Sequence, residues 1–168
     1  RKRTVYDLPN FSRRNFENGG DDFIERLQNT LQRYGIDPCY IEIEVTESVI
    51  VEKLDSLKAC LTRLGKLGYR IAIDDFGTGY SSLSVLLEIP ANVVKIDKSF
   101  TDKIHQNGQS AFVYQMGQFI QSAKEEVIFE GIEEEQQRTF LMECGFNYGQ
   151  GYYFDRPLPL EEFEKKYI

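Results

Sequence analysis

From residue 41 onward, short apolar runs alternate with stretches in which apolar residues recur at helical spacing. The apolar runs have the length and composition of buried strands. They are Ile41–Thr46, Tyr69–Asp75, Asn92–Asp97, Val127–Glu130 and Gly149–Phe154. Strands that alternate with helices at this spacing indicate βαβ units. The pattern therefore predicts an α/β domain with a parallel sheet.

The predicted helices lie between these runs and toward both ends of the chain. Two of them carry apolar stripes, which predict sides that face the core. One stripe consists of the leucines at positions 54, 57, 61, 64 and 67. The other consists of Ala111, Phe112, Met116, Phe119 and Ile120. The remaining predicted helices are Asp21–Tyr34, Ser82–Glu88, Glu134–Glu143 and Pro159–Tyr167.

Polar residues follow the predicted strands at the point where each strand ends. They are Glu44 and Glu47, Asp74 and Asp75, Lys95 and Asp97, and Glu130 and Glu133 at the first four strand ends, while Gln150 lies on the fifth strand. In a (β/α)8 barrel these strand ends converge on one face, which carries the catalytic residues. Scattered surface charges would not recur at the same position of every βα unit. The regularity therefore predicts a (β/α)8 TIM-like barrel with an acidic metal site.

The segment Asp74–Ser82 carries the strongest chemical signal. Two adjacent carboxylates end an apolar strand, and a glycine-rich turn follows them. Partly buried carboxylates side by side repel each other unless a cation lies between them. Hard oxygen ligands of this kind suit Mg²⁺ or Mn²⁺. Alone, the segment would also fit an acidic turn with a glycine breaker, but the other strand ends favour the metal site.

Composition and charge narrow the classes of function. The 168 residues are enough for one domain with a core. The formal net charge of -7 argues against a general DNA or RNA binder, although bound metals could still admit a phosphate ligand. The three cysteines have no CxxC spacing, which indicates reduced thiols and no zinc site. Because no apolar run reaches the length of a membrane span, we expect a soluble, cytoplasmic domain.

Several short motifs occur in the order found in EAL domains, which this chain resembles over nearly its whole length. The motifs are Asn10–Ser12, Glu44–Ser48, Asp74–Ser82, Lys95–Phe100, Glu130–Glu133 and Gln150–Phe154. EAL domains are bacterial phosphodiesterases that linearise cyclic di-GMP. The resemblance implies an enzyme that hydrolyses cyclic di-GMP to linear pGpG with two Mg²⁺ or Mn²⁺ ions.

The resemblance also implies a role for each site residue. The implied metal ligands are Asn10, Glu44, Asp74, Asp75 and Glu130, with Asp74 bridging the two ions. The implied catalytic group is Lys95, Glu130, Glu133 and Gln150, in which Lys95 orients or deprotonates the attacking water. Glu47 is expected to anchor the loop Gly77–Ser82. Two plainer interpretations stay open: Lys95 could simply neutralise the carboxylates, and Gln150 could cap a strand end.

The resemblance breaks near the N-terminus. The family's Glu-Ala-Leu tripeptide, whose Glu is a metal ligand, does not precede Asn10. A barrel of this type usually needs roughly 200 residues or more. We therefore expect residues 1–168 to form an EAL domain that lacks its first strand–helix region. Phe129 stands where the family usually has a small residue, and we expect it to crowd the neighbouring strands.

Two other functions compete with hydrolysis. A receptor that binds cyclic di-GMP without cutting it would fit the missing first-strand Glu. An enolase-like barrel would also place carboxylates and a lysine at strand ends, but Asp74–Tyr80 and Gln150–Tyr152 disfavour it. The resemblance further implies a homodimer. It also implies a longer parent protein with an additional sensory or GGDEF domain, and such parent proteins include membrane-anchored ones.

Overall fold

The computed structural model describes residues 20–52, 54–79, 83–105, 108–124 and 126–168. These residues contain one parallel sheet of five strands in the order β1-β2-β3-β4-β5. The strands are β1 (Glu42–Thr46), β2 (Arg70–Phe76), β3 (Val93–Ile96), β4 (Glu126–Phe129) and β5 (Tyr148–Gly149). The predicted α/β class and parallel sheet are confirmed.

Helices connect the strands. They are α1 (Asp21–Tyr34), α2 (Glu47–Glu52), α3 (Leu54–Lys66), α4 (Leu83–Glu88), α5 (Lys98–Thr101), α6 (Ser110–Ala123), α7 (Glu135–Glu143) and α8 (Leu160–Tyr167). A short 3₁₀ turn, Pro38–Tyr40, leads into β1. Consecutive strands of the chain are neighbours in the sheet, which is the arrangement of a TIM-like (β/α)8 barrel. Among the described residues, none of the helices has the length and apolar character needed to cross a lipid bilayer.

The core lies between the sheet and the helices packed on it. All four residues of the middle strand, β3, are buried, and Lys95 is the one polar residue among them. The leucine stripe of α3 supplies Leu57, Leu61 and Leu64, each almost fully buried, as predicted. Leu67 is an exception, because it lies after the end of α3 and is partly exposed.

The predicted apolar face of α6 is confirmed for Met116 and Ile120, which pack in or against the core, and is wrong for its other three residues. Val113, Gly117 and Ile120 are the buried residues of α6, whereas Phe112 is 58% exposed. Ala111 and Phe119 are also exposed. A side chain on Gly117 would clash with Phe146 and would lie 2.9 Å from Phe129. A glycine is therefore required where α6 approaches β4, and apolarity alone could not identify that contact.

The fifth predicted strand is also much shorter than expected. Only Tyr148 and Gly149 pair with β4, and the chain then turns. The turn wraps around Ile132, whose N–H donates to Gln150 O at 3.1 Å and whose carbonyl accepts from Tyr153 N at 2.9 Å. Gly151 lies against the Ile132 backbone and leaves no room for a Cβ. Gln150 therefore follows β5 instead of lying within a strand.

Phe129 is fully buried and does pack tightly, as its size predicts. Its ring centroid lies 4.8 Å from that of Phe146. Gly117 provides the space for both rings. Phe129 therefore crowds α6 and Phe146. The contact is possible because Gly117 has no side chain.

A charged cluster closes the N-terminal end of the sheet. Arg70 lies at the start of β2, and its Nε donates a hydrogen bond to Glu42 Oε2 at 3.3 Å. Its Nη2 lies 3.1 Å from Glu126 Oε1 at the start of β4. The three side chains are between 10% and 16% exposed. This cluster links strands β1, β2 and β4 beneath the start of β3.

Candidate metal centre and active site

The strand that carries the two adjacent aspartates is irregular where they occur. Ile73 pairs with Val94 and Phe76 with Ile96, so three steps along β2 match two along β3. This extra residue is a β-bulge. Asp75 lies in the bulge with φ of 53°, a left-handed conformation that aspartate tolerates better than most residues.

The bulge explains how two neighbouring carboxylates reach one site. In a regular strand, successive side chains point to opposite faces. The ligand oxygens of Asp74, Asp75 and Glu130 nevertheless all lie within 4.8 Å of one another. The irregular backbone at Asp75 thus turns its carboxylate to the side of Asp74. Sequence reasoning identified both residues but gave no signal for this bulge.

Lys95 from β3 lies at the centre of the carboxylates. Its Nζ is 3.0 Å from Glu44 Oε1, 2.9 Å from Asp74 Oδ1 and 2.9 Å from Glu130 Oε1. The lysine is only 6% exposed. The structure therefore brings together four predicted site residues from four neighbouring strands or strand ends.

Charge in this cluster is unbalanced. When ionised, the carboxylates of Glu44, Asp74, Asp75 and Glu130 face one ammonium, which leaves a net charge of about -3. The donors are all carboxylate oxygens, the ligand type that Mg²⁺ and Mn²⁺ prefer. The described residues therefore fit divalent cations both in donor chemistry and in charge.

The pKa directions agree with this description. Burial raises the pKa of Glu44, and the nearby Lys95 only partly opposes it. Burial, followed by the charge of Asp74, raises the pKa of Asp75. Burial also raises the pKa of Glu130 against the effect of Lys95. Burial lowers the pKa of Lys95, but hydrogen bonds and charge from Asp74 and Glu130 outweigh it and raise the pKa overall. The lysine is therefore an ammonium.

Gln150 and Glu133 occupy different places. Gln150 Nε2 donates to Glu130 Oε1 at 2.6 Å, so Gln150 contacts the carboxylate cluster directly. Glu133 instead pairs with Lys98, whose Nζ lies 2.6 Å from Oε1, and it is about half exposed. Asp97, also noted at a strand end, accepts from Ser99 N and caps α5. The catalytic role of Glu133 stays a prediction.

Glu47 holds the turn that follows the aspartates. It is 1% exposed, and its Oε2 accepts from Gly77 N at 2.8 Å. Gly77 has φ of 98° and packs against Phe100 so closely that a Cβ would clash. The carboxylate also lies beside Gly79. This geometry agrees with the expected anchoring of the loop, of which residues 77–79 are described.

Asn10, the remaining predicted metal ligand, lies outside the described residues. Sequence reasoning also missed Lys98, Tyr152 and Arg156, which line a cavity next to the cluster. A signal for Lys98 existed, because it follows the predicted Lys95 by three residues in the Lys95–Phe100 motif. Tyr152 was hidden by the incorrect strand prediction over residues 149–154, and nothing in the sequence pattern singled out Arg156.

Comparisons with known proteins agree with this architecture. A family model described as EAL domain matches residues 7–157. The signaling protein YkoW of Bacillus subtilis is 42% identical over 166 residues, which are 95% of this chain and 20% of that protein. The cyclic di-GMP phosphodiesterase NbdA of Pseudomonas aeruginosa is 37% identical over 153 residues, which are 89% of this chain and 20% of that protein. The chain thus spans about a fifth of the length of these relatives.

Solved structures give the same result. The EAL enzyme Bd1971, in a form bound to cAMP and cyclic di-GMP, superimposes with a TM-score of 0.84 at 33% identity. That match covers 92% of this chain and 41% of the solved one. BlrP1 of Klebsiella pneumoniae, in a complex with manganese and cyclic di-GMP, gives a TM-score of 0.75 at 31% identity, covering 82% of this chain and 35% of BlrP1. The chain belongs to the EAL domain family.

Proposed function

We propose that this chain is a metal-dependent phosphodiesterase domain that hydrolyses cyclic di-GMP to linear pGpG. The observation that carries the proposal is the convergence of Asp74, Asp75 and Glu130 within 4.8 Å of one another beside Lys95. Relatives with this activity in their names and solved relatives that hold cyclic di-GMP support the choice of substrate.

The proposed ligands of the two ions are Asn10, Glu44, Asp74, Asp75 and Glu130. We propose Mg²⁺ or Mn²⁺, and the manganese and calcium complexes of BlrP1 support a divalent site in this family. Such ions, when bound, would neutralise the phosphodiester and make a water nucleophilic near neutral pH. The excess negative charge of the cluster would attract and hold these ions.

Lys95 is proposed to position the attacking water and to offset negative charge that develops on the phosphate. Because its pKa is raised, Lys95 donates hydrogen bonds and does not serve as a free base. Gln150 orients Glu130 through the 2.6 Å hydrogen bond between them. Glu47 is proposed to fix the turn at Gly77 so that Asp75 keeps its place.

The proposal extends to the setting of the domain. We propose that residues 1–168 act as one EAL module, in a cytoplasmic compartment, without binding DNA or RNA. The free thiols of Cys60 and Cys144 and the acidic charge support this setting. A homodimer, a GGDEF or sensory partner domain and membrane anchoring of the parent protein are further proposals. The name of the relative MucR, a bifunctional diguanylate cyclase and cyclic di-GMP phosphodiesterase, supports the GGDEF domain alone.

The test is hydrolysis of cyclic di-GMP by the full-length protein with Mg²⁺ or Mn²⁺, followed by chromatography of pGpG. We expect turnover that stops on addition of a chelator. Asp74→Asn should abolish it, whereas Asp102→Asn, a matched change at an exposed carboxylate, should not. Binding without turnover would make the domain a receptor, and absence of both would overturn the proposal.

A further inference from the structure

Gln137 is a buried polar residue that the proposed mechanism does not use. It lies in the first turn of α7 and is 7% exposed. Burying an amide side chain is unfavourable unless its oxygen and nitrogen both find hydrogen-bond partners. The partners of Gln137 therefore indicate what the residue does in the fold.

The side-chain oxygen of Gln137 holds the turn that precedes α7. Oε1 accepts hydrogen bonds from Glu133 N at 2.9 Å and from Glu134 N at 3.0 Å. The bond to Glu134 N completes a capping box, in which the Glu134 side chain accepts from the backbone of Gln137. A capping box does not require the bond to Glu133 N, which extends the contact toward β4.

The side-chain nitrogen of Gln137 makes a contact outside the helix. Nε2 donates to Thr101 O at 3.3 Å. Thr101 is fully buried at the end of α5, the helix that follows β3. Capping of α7 uses only the side-chain oxygen, so this bond has a different effect. It ties the turn after β4 to the helix after β3.

The helix α5 holds the same turn at two further points. Gly131 has φ of 67°, and the Lys98 side chain lies so close to it that a Cβ would clash. The Nζ of Lys98 also reaches Glu133 Oε1 at 2.6 Å. Residues 130–134 therefore rest on α5 through a glycine, through the Glu133 side chain and through Gln137.

The turn begins with Glu130, and β3 ends one residue after Lys95. These two side chains meet at 2.9 Å in the candidate metal centre. Their separation depends on how the end of β4 lies relative to the end of β3. Gln137 joins the segments that follow these two strand ends. Residues that orient metal ligands without touching the metal typically change metal affinity about 10- to 100-fold when they are mutated.

We propose that Gln137 is a positioning residue of the metal centre, which fixes residues 130–134 on α5 and thereby sets where Glu130 meets Lys95 and the metal. The inference rests on the proposed function, because that function places metal ions at Glu130. Gln137 acts through the backbone of the turn and not by contact with the reacting groups.

Binding of Mn²⁺ to the full-length protein, measured by titration calorimetry without nucleotide, tests the proposal. Gln137→Met removes all three hydrogen bonds at similar volume, and we expect it to weaken Mn²⁺ binding roughly 10- to 100-fold. Gln137→Glu keeps an oxygen for the two N–H groups, as glutamate does in a capping box, but has no donor for Thr101 O. We expect roughly tenfold weaker binding in this variant, although α7 stays capped.

A purely structural role predicts different results. If Gln137 only capped α7, Gln137→Glu would bind Mn²⁺ as the wild type does, and that result would overturn the proposal. Wild-type affinity in Gln137→Met would overturn it as well. If urea titrations show that Gln137→Met does not fold, the affinity of Gln137→Glu decides alone.

The matched controls are Gln136→Met and Gln136→Glu, which make the same changes at the preceding, exposed residue of α7. Both should bind Mn²⁺ as the wild type does, and an equal loss in them would overturn the proposal. Hydrolysis of cyclic di-GMP is followed in parallel. A wild type that binds Mn²⁺ but forms no pGpG would overturn the proposed function and leave the effect of Gln137 on metal binding measurable. A wild type that binds no Mn²⁺ would overturn both.

Discussion

The two ends of the sheet each surround one cation with carboxylates, but their charge balance differs. At the N-terminal end, the Arg70 fork reaches Glu42 and Glu126, which leaves a net charge of about -1. At the C-terminal end, Lys95 faces three carboxylates, with Asp75 beside them. The first cluster is almost neutral without a ligand, whereas the second needs further cations to offset its charge.

The backbone also differs between the two ends: it is regular at the N-terminal end and irregular at the C-terminal end. Glu42 and Arg70 are partners in a regular parallel register. At the other end, β2 carries a bulge and Asp75 is left-handed. Strained backbone persists where surrounding structure enforces it, and it is common at functional sites. The N-terminal end of the sheet therefore stabilises the fold, whereas the C-terminal end, the proposed active site, combines unbalanced charge with an irregular backbone.

The sharpest test of this contrast is Lys95→Met. Because Lys95 is proposed to offset charge at the reacting phosphate, we expect turnover of cyclic di-GMP to fall at least about 100-fold. Binding of cyclic di-GMP in the presence of metal should persist, since divalent ions can replace the lost positive charge. Steady-state kinetics and calorimetry measure the two effects, with Lys58→Met at an exposed pair as control. Undiminished turnover would remove Lys95 from the mechanism.

Arg70→Met tests the opposite end. It leaves two largely buried carboxylates without their cation, so we expect the free energy of unfolding to drop by about 3 kcal/mol. Turnover per folded molecule should be unchanged, and Mn²⁺ should stabilise wild type and variant equally, so that the difference in stability between them stays the same. Urea titrations of both proteins with and without Mn²⁺ measure this. A smaller difference with the metal would show that the two ends are not distinct.

Asp75 offers a smaller test of stored charge and strain. Asp75→Asn removes the charge but keeps a side chain that tolerates the left-handed backbone, so without metal we expect a gain of roughly 0.5–2 kcal/mol in stability. Asp75→Ala also removes the charge but should be less stable than the Asn variant by about 1 kcal/mol. Denaturant titrations compare the two. Equal stabilities would show that the bulge imposes no strain.

The smallest effect should come from a carboxylate–lysine pair at the surface. The Lys166 and Tyr167 hydrogen bonds lower the pKa of Asp155 from 3.8 to about 2. The stabilisation is therefore complete above the unfolded pKa near 4 and is lost as the pH falls through about 2. Asp155→Asn should lower the thermal midpoint slightly at pH 6 and by much less at pH 2. An equal decrease at both values would assign the effect to packing of α8.

Much of this arrangement could be predicted from the sequence because it depends on alternation and strand order. Buried runs located β1 to β4 within one or two residues. Parallel order then brought Glu44, Asp74, Lys95 and Glu130 to one end of the sheet. Pairing between neighbouring strands needs no knowledge of exact side-chain packing.

Features that depend on a single close contact could not be predicted. The face of α6 is set by Gly117, whose importance lies in the side chain it lacks. The end of β5 is set by backbone hydrogen bonds to Ile132, which apolar periodicity does not report. The partner of Glu133 is Lys98, which lies two residues beyond the end of β3. In each case tertiary contact overrides the local pattern.

Gly117, Phe129 and Phe146 share one fixed volume between α6 and the sheet. Enlarging any of the three positions requires shrinking another, so substitutions there should be tolerated only in compensating pairs. Phe129 is also the residue directly before Glu130. A single methyl group added to the helix would therefore push on the strand end that carries Glu130, a proposed metal ligand. Helix packing on the outside of the sheet thus limits how accurately the centre can be built.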